Sequence, residues 1–268
     1  MNAGMNAASF SASLLRSQRG TPVMVDKSGN EVALKPFPLT GGGKSEAWLQ
    51  SMVHKYPGLL SVTDIEPGLG TPVAVAMEVP CAHGYIDNIL LTADGNIVLV
   101  EAKLWSNPQA RREVVAQALD YVAALTGMGY DAFEQALLKA RGDGAVSLHA
   151  VVQSPLAERD FIDAVTRNLA RGRILAIVLG NGVREEVRTL TRFLQGHAGA
   201  HFTLALVQIN LWADPATGML IAVPDTLAQT VMIERGIVVI DDGIPKVVPM
   251  PVSAAAAAGQ IRRSIRRF

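Results

Sequence analysis

The sequence predicts an α/β protein whose mixed central sheet is flanked by helices. Three observations lead there. Of 268 residues, 49% are hydrophobic but only 5% aromatic, so the apolar surplus is aliphatic and alanine-rich, as in sheets covered by helices. Apolar runs of strand length alternate with segments of helical period. The connections between many of them are short, as α/β packing requires. With 18% charged residues and a mean hydropathy of +0.25, the chain is expected to fold as a globule with a large core rather than stay disordered.

Residues 1–43 read as an N-terminal extension. After a start rich in Ser, Ala and Asn, Pro22–Asp26 and Glu31–Lys35 flank Lys27-Ser-Gly-Asn30 as a small hairpin, and Gly41-Gly-Gly43 marks a joint. Ser45 caps a helix from Glu46 to about Tyr56, stopped by Pro57-Gly58, with Glu46, Leu49, Val53 and Tyr56 on one face. Three strands follow, Pro72 to Val79, Tyr85 to Thr92 and Ile97 to Leu104, the last two joined at Asp94-Gly95-Asn96 in an antiparallel meander. Asn107 as cap and Pro108 at the first helical position open a long helix to about Leu125.

Residues 127–172 read as a helical insertion. It holds a helix near Asp131 to Ala140, a stretch from Val146 to Val152 open between strand and helix, and a helix over 158–171 with Phe161, Val165 and Leu169 on one side. Arg173 to Leu179 is then a buried strand, Val183 to Leu194 a helix and Phe202 to Leu211 a strand. Residues 212–268 carry C-terminal strands, one near Leu220 to Val223, and a basic tail with Arg262, Arg263, Arg266 and Arg267.

No apolar run approaches the ~20 residues of a membrane-spanning helix. No basic segment precedes an apolar one at the N-terminus, so no membrane partner is expected. Cys81 is the only cysteine, which excludes an internal disulfide framework and a Cys-rich zinc site and suits a cytoplasmic setting. Twenty-four basic residues balance twenty-four acidic ones, so no global field attracts a polyanion. Such a partner must meet a local patch, for which Arg111-Arg112 and the tail are candidates.

The chemistry-bearing feature is Asp87, Glu101 and Lys103, three charged residues inside strands that are otherwise apolar. With a three-residue loop from Asp94 to Asn96, Ala93 opposes Ile97 and Asp87 opposes Lys103, which places all three charges on one face. Two carboxylates and an ammonium on a partly buried patch incur a desolvation cost that structure alone seldom justifies. A divalent cation resolves the repulsion, and oxygen ligands without Cys or His favour Mg²⁺ or Mn²⁺. The plain alternative is a cross-strand salt bridge on a solvated face.

Asp87, then Glu101-Ala102-Lys103, set within the order helix, three-stranded meander, helix and strand, resembles the PD-(D/E)XK nuclease superfamily with its restriction-endonuclease-like αβββαβ core. The resemblance covers residues 44–126, and more loosely 173–211 after the insertion, so 44–211 reads as one nuclease-like domain. Ile86 stands where the family's name-giving proline would be. The resemblance implies metal-dependent hydrolysis of DNA phosphodiester bonds, with Asp87, Glu101 and the backbone carbonyl of Ala102 holding Mg²⁺ or Mn²⁺ and Lys103 serving the attacking water. It further implies that Glu46 acts through a water or a second ion. Gln117 and Tyr121, at i and i+4 of the following helix, would orient the lysine or the phosphate, so Gln117 is expected to approach Lys103.

A second reading stays open, in which the fold no longer cuts and serves as a nucleic-acid- or protein-binding module. DNA is the expected partner; whether the chain forms a homodimer is open, as are DNA against RNA and endo- against exonuclease action. Gly180-Asn-Gly182 lacks the rest of a phosphate-binding fingerprint and reads as a tight strand-to-helix turn. His197 and His201, with a glycine between them and no nearby acid, read as a solvated loop rather than a zinc site.

Overall fold

The computed structural model describes residues 21–39, 45–82, 84–104, 110–181, 202–229, 236–241 and 244–249. The Gly41–Gly43 joint, the Asn107–Pro108 cap, the side chains of Arg111 and Arg112, Gly182, the Val183–Leu194 helix, the His197–His201 pair and the basic tail lie outside what is described. The chain divides into two compact units, Met1–Phe37 with Trp212–Ile221, and Pro38–Leu211 with Ala222–Phe268.

In the smaller unit the expected hairpin is present as β1 (Val23–Val25) paired antiparallel with β2 (Glu31–Ala33). Its turn is held by Asp26, whose carboxylate accepts the backbone N–H groups of Ser28 and Asn30, each at 2.8 Å. A further short strand, β3 (Lys35–Phe37), follows. Its central Pro36 lacks an N–H for a ladder, which is why the sequence does not announce it.

The larger unit opens with α1 (Glu46–Lys55). The Ser45 hydroxyl accepts the Trp48 N–H at 3.1 Å, the cap the sequence predicts. Leu49 and Val53 are buried, but Tyr56 is exposed. Its backbone has left the helical region, with φ −132° and ψ 71°, so the expected stripe ends one turn early. A 3₁₀ turn (Pro57–Leu60) and α2 (Val62–Ile65) lead into the meander of β4 (Pro72–Cys81), β5 (Gly84–Thr92) and β6 (Ile97–Lys103), antiparallel throughout.

A parallel return to β6 needs a long crossover. That crossover consists of α3 (Ala110–Thr126), α4 (Tyr130–Arg141), α5 (Leu148–Val151) and α6 (Glu158–Arg171). The stretch left open between strand and helix is therefore helical, started by the Ser147 hydroxyl accepting the Ala150 N–H. β7 (Ile174–Gly180) then runs parallel to β6, and β8 (Thr203–Ala213) parallel to β7. The strand order is β8-β7-β6-β5-β4, with β9 (Leu220–Gln229) paired to β8. The sheet is thus mixed and helix-flanked, as expected.

The last strand is longer than the sequence suggests, and an unanticipated antiparallel hairpin of β10 (Gly236–Asp241) and β11 (Ile244–Pro249) follows. Pro245 and Pro249 disguise it.

Every residue of β7 is buried, the expected state of a central parallel strand covered on both faces. Phe161, Val165 and Leu169 of α6 are fully buried in one core with Phe133 and Leu137 of α4, Val114 and Ala118 of α3, and sheet residues such as Ile89, Leu99 and Val178. The helical insertion therefore contributes to the main core.

The β5–β6 turn sets the register on which the charged trio depends. Thr92 N–H donates to Asn96 O and Gly95 N–H to Thr92 O, each at 3.0 Å. The three-residue loop is therefore Ala93–Gly95, one position earlier than expected, and Leu91 rather than Ala93 faces Ile97 in the ladder. Gly95 has φ +80°, and a Cβ there would stand 3.1 Å from Ala164 and Val165 side-chain atoms of α6. Asn168 Nδ2 donates to Gly95 O at 2.8 Å. Turn and helix thus lock each other.

Candidate active site

The register shift moves opposing partners by two residues. Extended along the strands, it brings Asp87 opposite Glu101, not opposite Lys103 as expected. Because the shift is even, the faces do not change: Asp87, Glu101 and Lys103 still share one. The β5–β6 ladder stops at the Asn88–Val100 pair, so the strands cease pairing where the charges begin. In the continued register Ala102 would face Ile86. Its N–H instead donates to Asp87 Oδ2 at 2.7 Å, so a side chain takes over from the ladder.

Asp87 and Glu101 are only 8% and 4% exposed. Burial foremost, then the charges of Glu78 and Glu46, push the Asp87 carboxyl up to about 6, against the pull of the Ala102 N–H. Burial and then the charge of Asp87 push Glu101 up to about 8, with Lys103 opposing. Glu101 Oε2 is buried and has no hydrogen-bond partner. A buried carboxyl oxygen without a partner is costly, and its ionised form is favoured only when something cationic reaches it.

Glu46, in the first turn of α1, meets the end of β6 twice. Its Oε1 accepts the Leu104 N–H at 2.9 Å, and its Oε2 stands 3.3 Å from Lys103 Nζ. Both side chains of this ion pair are about one-third exposed. Glu46 thus engages the lysine directly.

Gln117 and Tyr121 bond to each other on α3. The Gln117 Nε2 donates to Tyr121 Oη at 2.8 Å, a local i,i+4 contact. Tyr121 is almost fully buried. Its hydroxyl stands 3.1 Å from where a Cβ at Gly84 would be. Burial raises the phenol, and the charges of Glu101 and Asp87 add to the effect.

Two further residues join the group without having been read from the sequence. Gln50 Nε2 donates to Asp87 Oδ1 at 2.6 Å; its i+4 spacing from Glu46 was the available signal. Glu78 lies in β4 between the Met77–Asn88 and Val79–Ile86 pairs. Its φ of +51° is a tertiary feature with no signature in sequence.

Oxygen donors without Cys or His are the kind a hard divalent cation would use. Asp87 and Glu101 would offer carboxylate oxygens to such an ion and Ala102 its backbone carbonyl, and Glu101 Oε2 lacks a partner. Among the described residues no group of three or more His, Cys, Asp or Glu side chains stands ready to hold a metal. Any ion held here would rest on two carboxylates and its own waters. Comparison with family models, with curated proteins and with solved structures finds no match to this chain. No described helix is long and apolar enough to cross a membrane.

Proposed function

We propose that this chain is a metal-dependent nuclease with a restriction-endonuclease-like PD-(D/E)XK core, hydrolysing DNA phosphodiester bonds. The observation that supports this reading best is the buried, unpartnered Glu101 Oε2 beside Asp87 at the point where β5 and β6 stop pairing. In this reading Asp87, Glu101 and the Ala102 carbonyl hold Mg²⁺ or Mn²⁺. The bound ion supplies a water of lowered pKa and neutralises charge on the phosphoryl group. Lys103, steadied by Glu46, positions that water and stabilises the charge that builds on the phosphate. Gln117 and Tyr121, bonded to each other, would orient the lysine or the phosphate.

The binding-module reading draws on a different observation, that both Asp87 oxygens already accept hydrogen bonds, from Gln50 and Ala102. Each carboxylate oxygen keeps a second lone pair, so these bonds do not block a ligand. The deciding experiment incubates single-stranded, duplex and branched DNA with the protein in Mg²⁺, Mn²⁺ or EDTA. Cleavage that needs the metal and disappears in Asp87→Ala and Lys103→Ala is expected. Undiminished cleavage in EDTA or in either variant overturns the mechanism, and tight binding of DNA without any cleavage supports the module.

A further inference from the structure

Helix α1 carries Glu46, Gln50 and His54 at i, i+4 and i+8, one stripe along its length. Each tooth of this comb meets the meander. Glu46 takes the Leu104 N–H and Lys103 Nζ, Gln50 donates to Asp87 Oδ1, and the His54 ring stands beside the Asn88 side chain. The middle tooth is anchored from behind, because Asn88 Nδ2 donates to the Gln50 backbone carbonyl at 3.3 Å. Asn88 is itself fully buried, so the helix is tied to the residue adjacent to Asp87 in β5.

We infer that Gln50 is a positioning residue for cation binding, fixing the Asp87 carboxylate through Oδ1 while the Ala102 N–H fixes it through Oδ2. The inference rests on the reading of Asp87 and Glu101 as the ligand pair. Two donors on different elements, one a side chain of α1 and one a backbone group of β6, leave the carboxylate plane no freedom to rotate. Its remaining lone pairs then point in one fixed arrangement. A carboxylate held this way loses little conformational freedom when it takes a metal, and groups in this position typically set metal affinity by about 10–100-fold. Glutamine suits the role because its amide donates without adding a fifth carboxyl group to a neighbourhood that already holds Glu46, Glu78, Asp87 and Glu101.

The test measures Mn²⁺ binding by the loss of the free-ion paramagnetic resonance signal, without DNA, on the full chain and on Gln50→Met, Asp87→Ala and Gln50→Ala. Methionine keeps the length and removes the donor. Gln50→Met is expected to bind about 10-fold or more weakly, with a broadened bound-ion spectrum, while Asp87→Ala loses binding altogether. Cleavage by Gln50→Met should recover when Mn²⁺ is raised to saturation, which a merely structural defect would not permit. If Gln50→Met does not fold, the same titration of Gln50→Ala decides. Unchanged affinity in the glutamine variant alongside loss in Asp87→Ala overturns the role of Gln50 and leaves the ligand pair standing. Absence of Mn²⁺ binding by the unmodified chain overturns both.

Discussion

Glu101 concentrates the physics of this protein in one side chain. Its carboxyl is pushed to about 8 in the folded chain from an ordinary value near 4.5. Between those two values the native state keeps a proton that the unfolded state has released. Linkage then makes stability fall as pH rises through that window, by at most about 1.4 kcal/mol per pH unit. Asp87, raised to about 6 from 3.8, acts in the same direction at lower pH. In metal-free buffer the melting temperature is therefore expected to decline from pH 5 to pH 8. Glu101→Gln should flatten the decline above pH 6 and melt higher than the unmodified chain at pH 8. Melting curves collected across that range check this, and a wild-type melting temperature that climbs toward pH 8 would contradict it.

At the scale of elements, the β5–β6 turn and α6 depend on each other. Asn168, buried in α6, reaches Gly95 O, and Gly95 combines a φ of +80° with surroundings in which a Cβ would be tightly crowded. Asn168→Ala leaves a carbonyl unpaired in the interior and should cost about 1–3 kcal/mol. Gly95→Ala should cost more, since it adds left-handed backbone strain to tight contacts with Ala164 and Val165. Denaturant titration of both variants measures the order. If Gly95→Ala proves the milder of the two, the turn does not press on the helix as described. Phe161→Ala, which empties a fully buried site on the same helix, is expected at about 3–5 kcal/mol.

At the scale of the whole molecule, the site joins α1, β4, β5 and β6 at the point where the sheet's antiparallel half opens, so a cation bound there couples to global stability. A ligand present at about 100 times its dissociation constant adds about 2.7 kcal/mol, which for a domain of this size is a rise of about 5–10 °C in melting temperature. Mn²⁺ is expected to give such a rise at pH 8 and a smaller one at pH 5.5, because binding must expel the protons that Glu101 and Asp87 retain there. EDTA should reverse it. Equal shifts at the two pH values, or none, would separate the cation from the carboxylates.

Much of this molecule was legible in residue order. Ser45 with Glu46, the stripe of Phe161, Val165 and Leu169, and the continuous apolar run of β7 report their own structure, because capping, helical period and full burial are written in neighbouring residues. The presence of Asp87, Glu101 and Lys103 in apolar strands likewise marked the candidate site, and an even register shift keeps them on one face. What the chain alone did not decide was set by contacts between residues distant in sequence. α6 presses on Gly95 and locks the turn whose place puts Asp87 opposite Glu101 rather than Lys103. Asn88 anchors α1 so that Gln50 meets Asp87 across 37 positions, and a left-handed Glu78 brings a further carboxylate into the group. Periodicity and spacing describe each element's own faces; which faces meet, and at which residue a ladder ends, depends on the packing of the others.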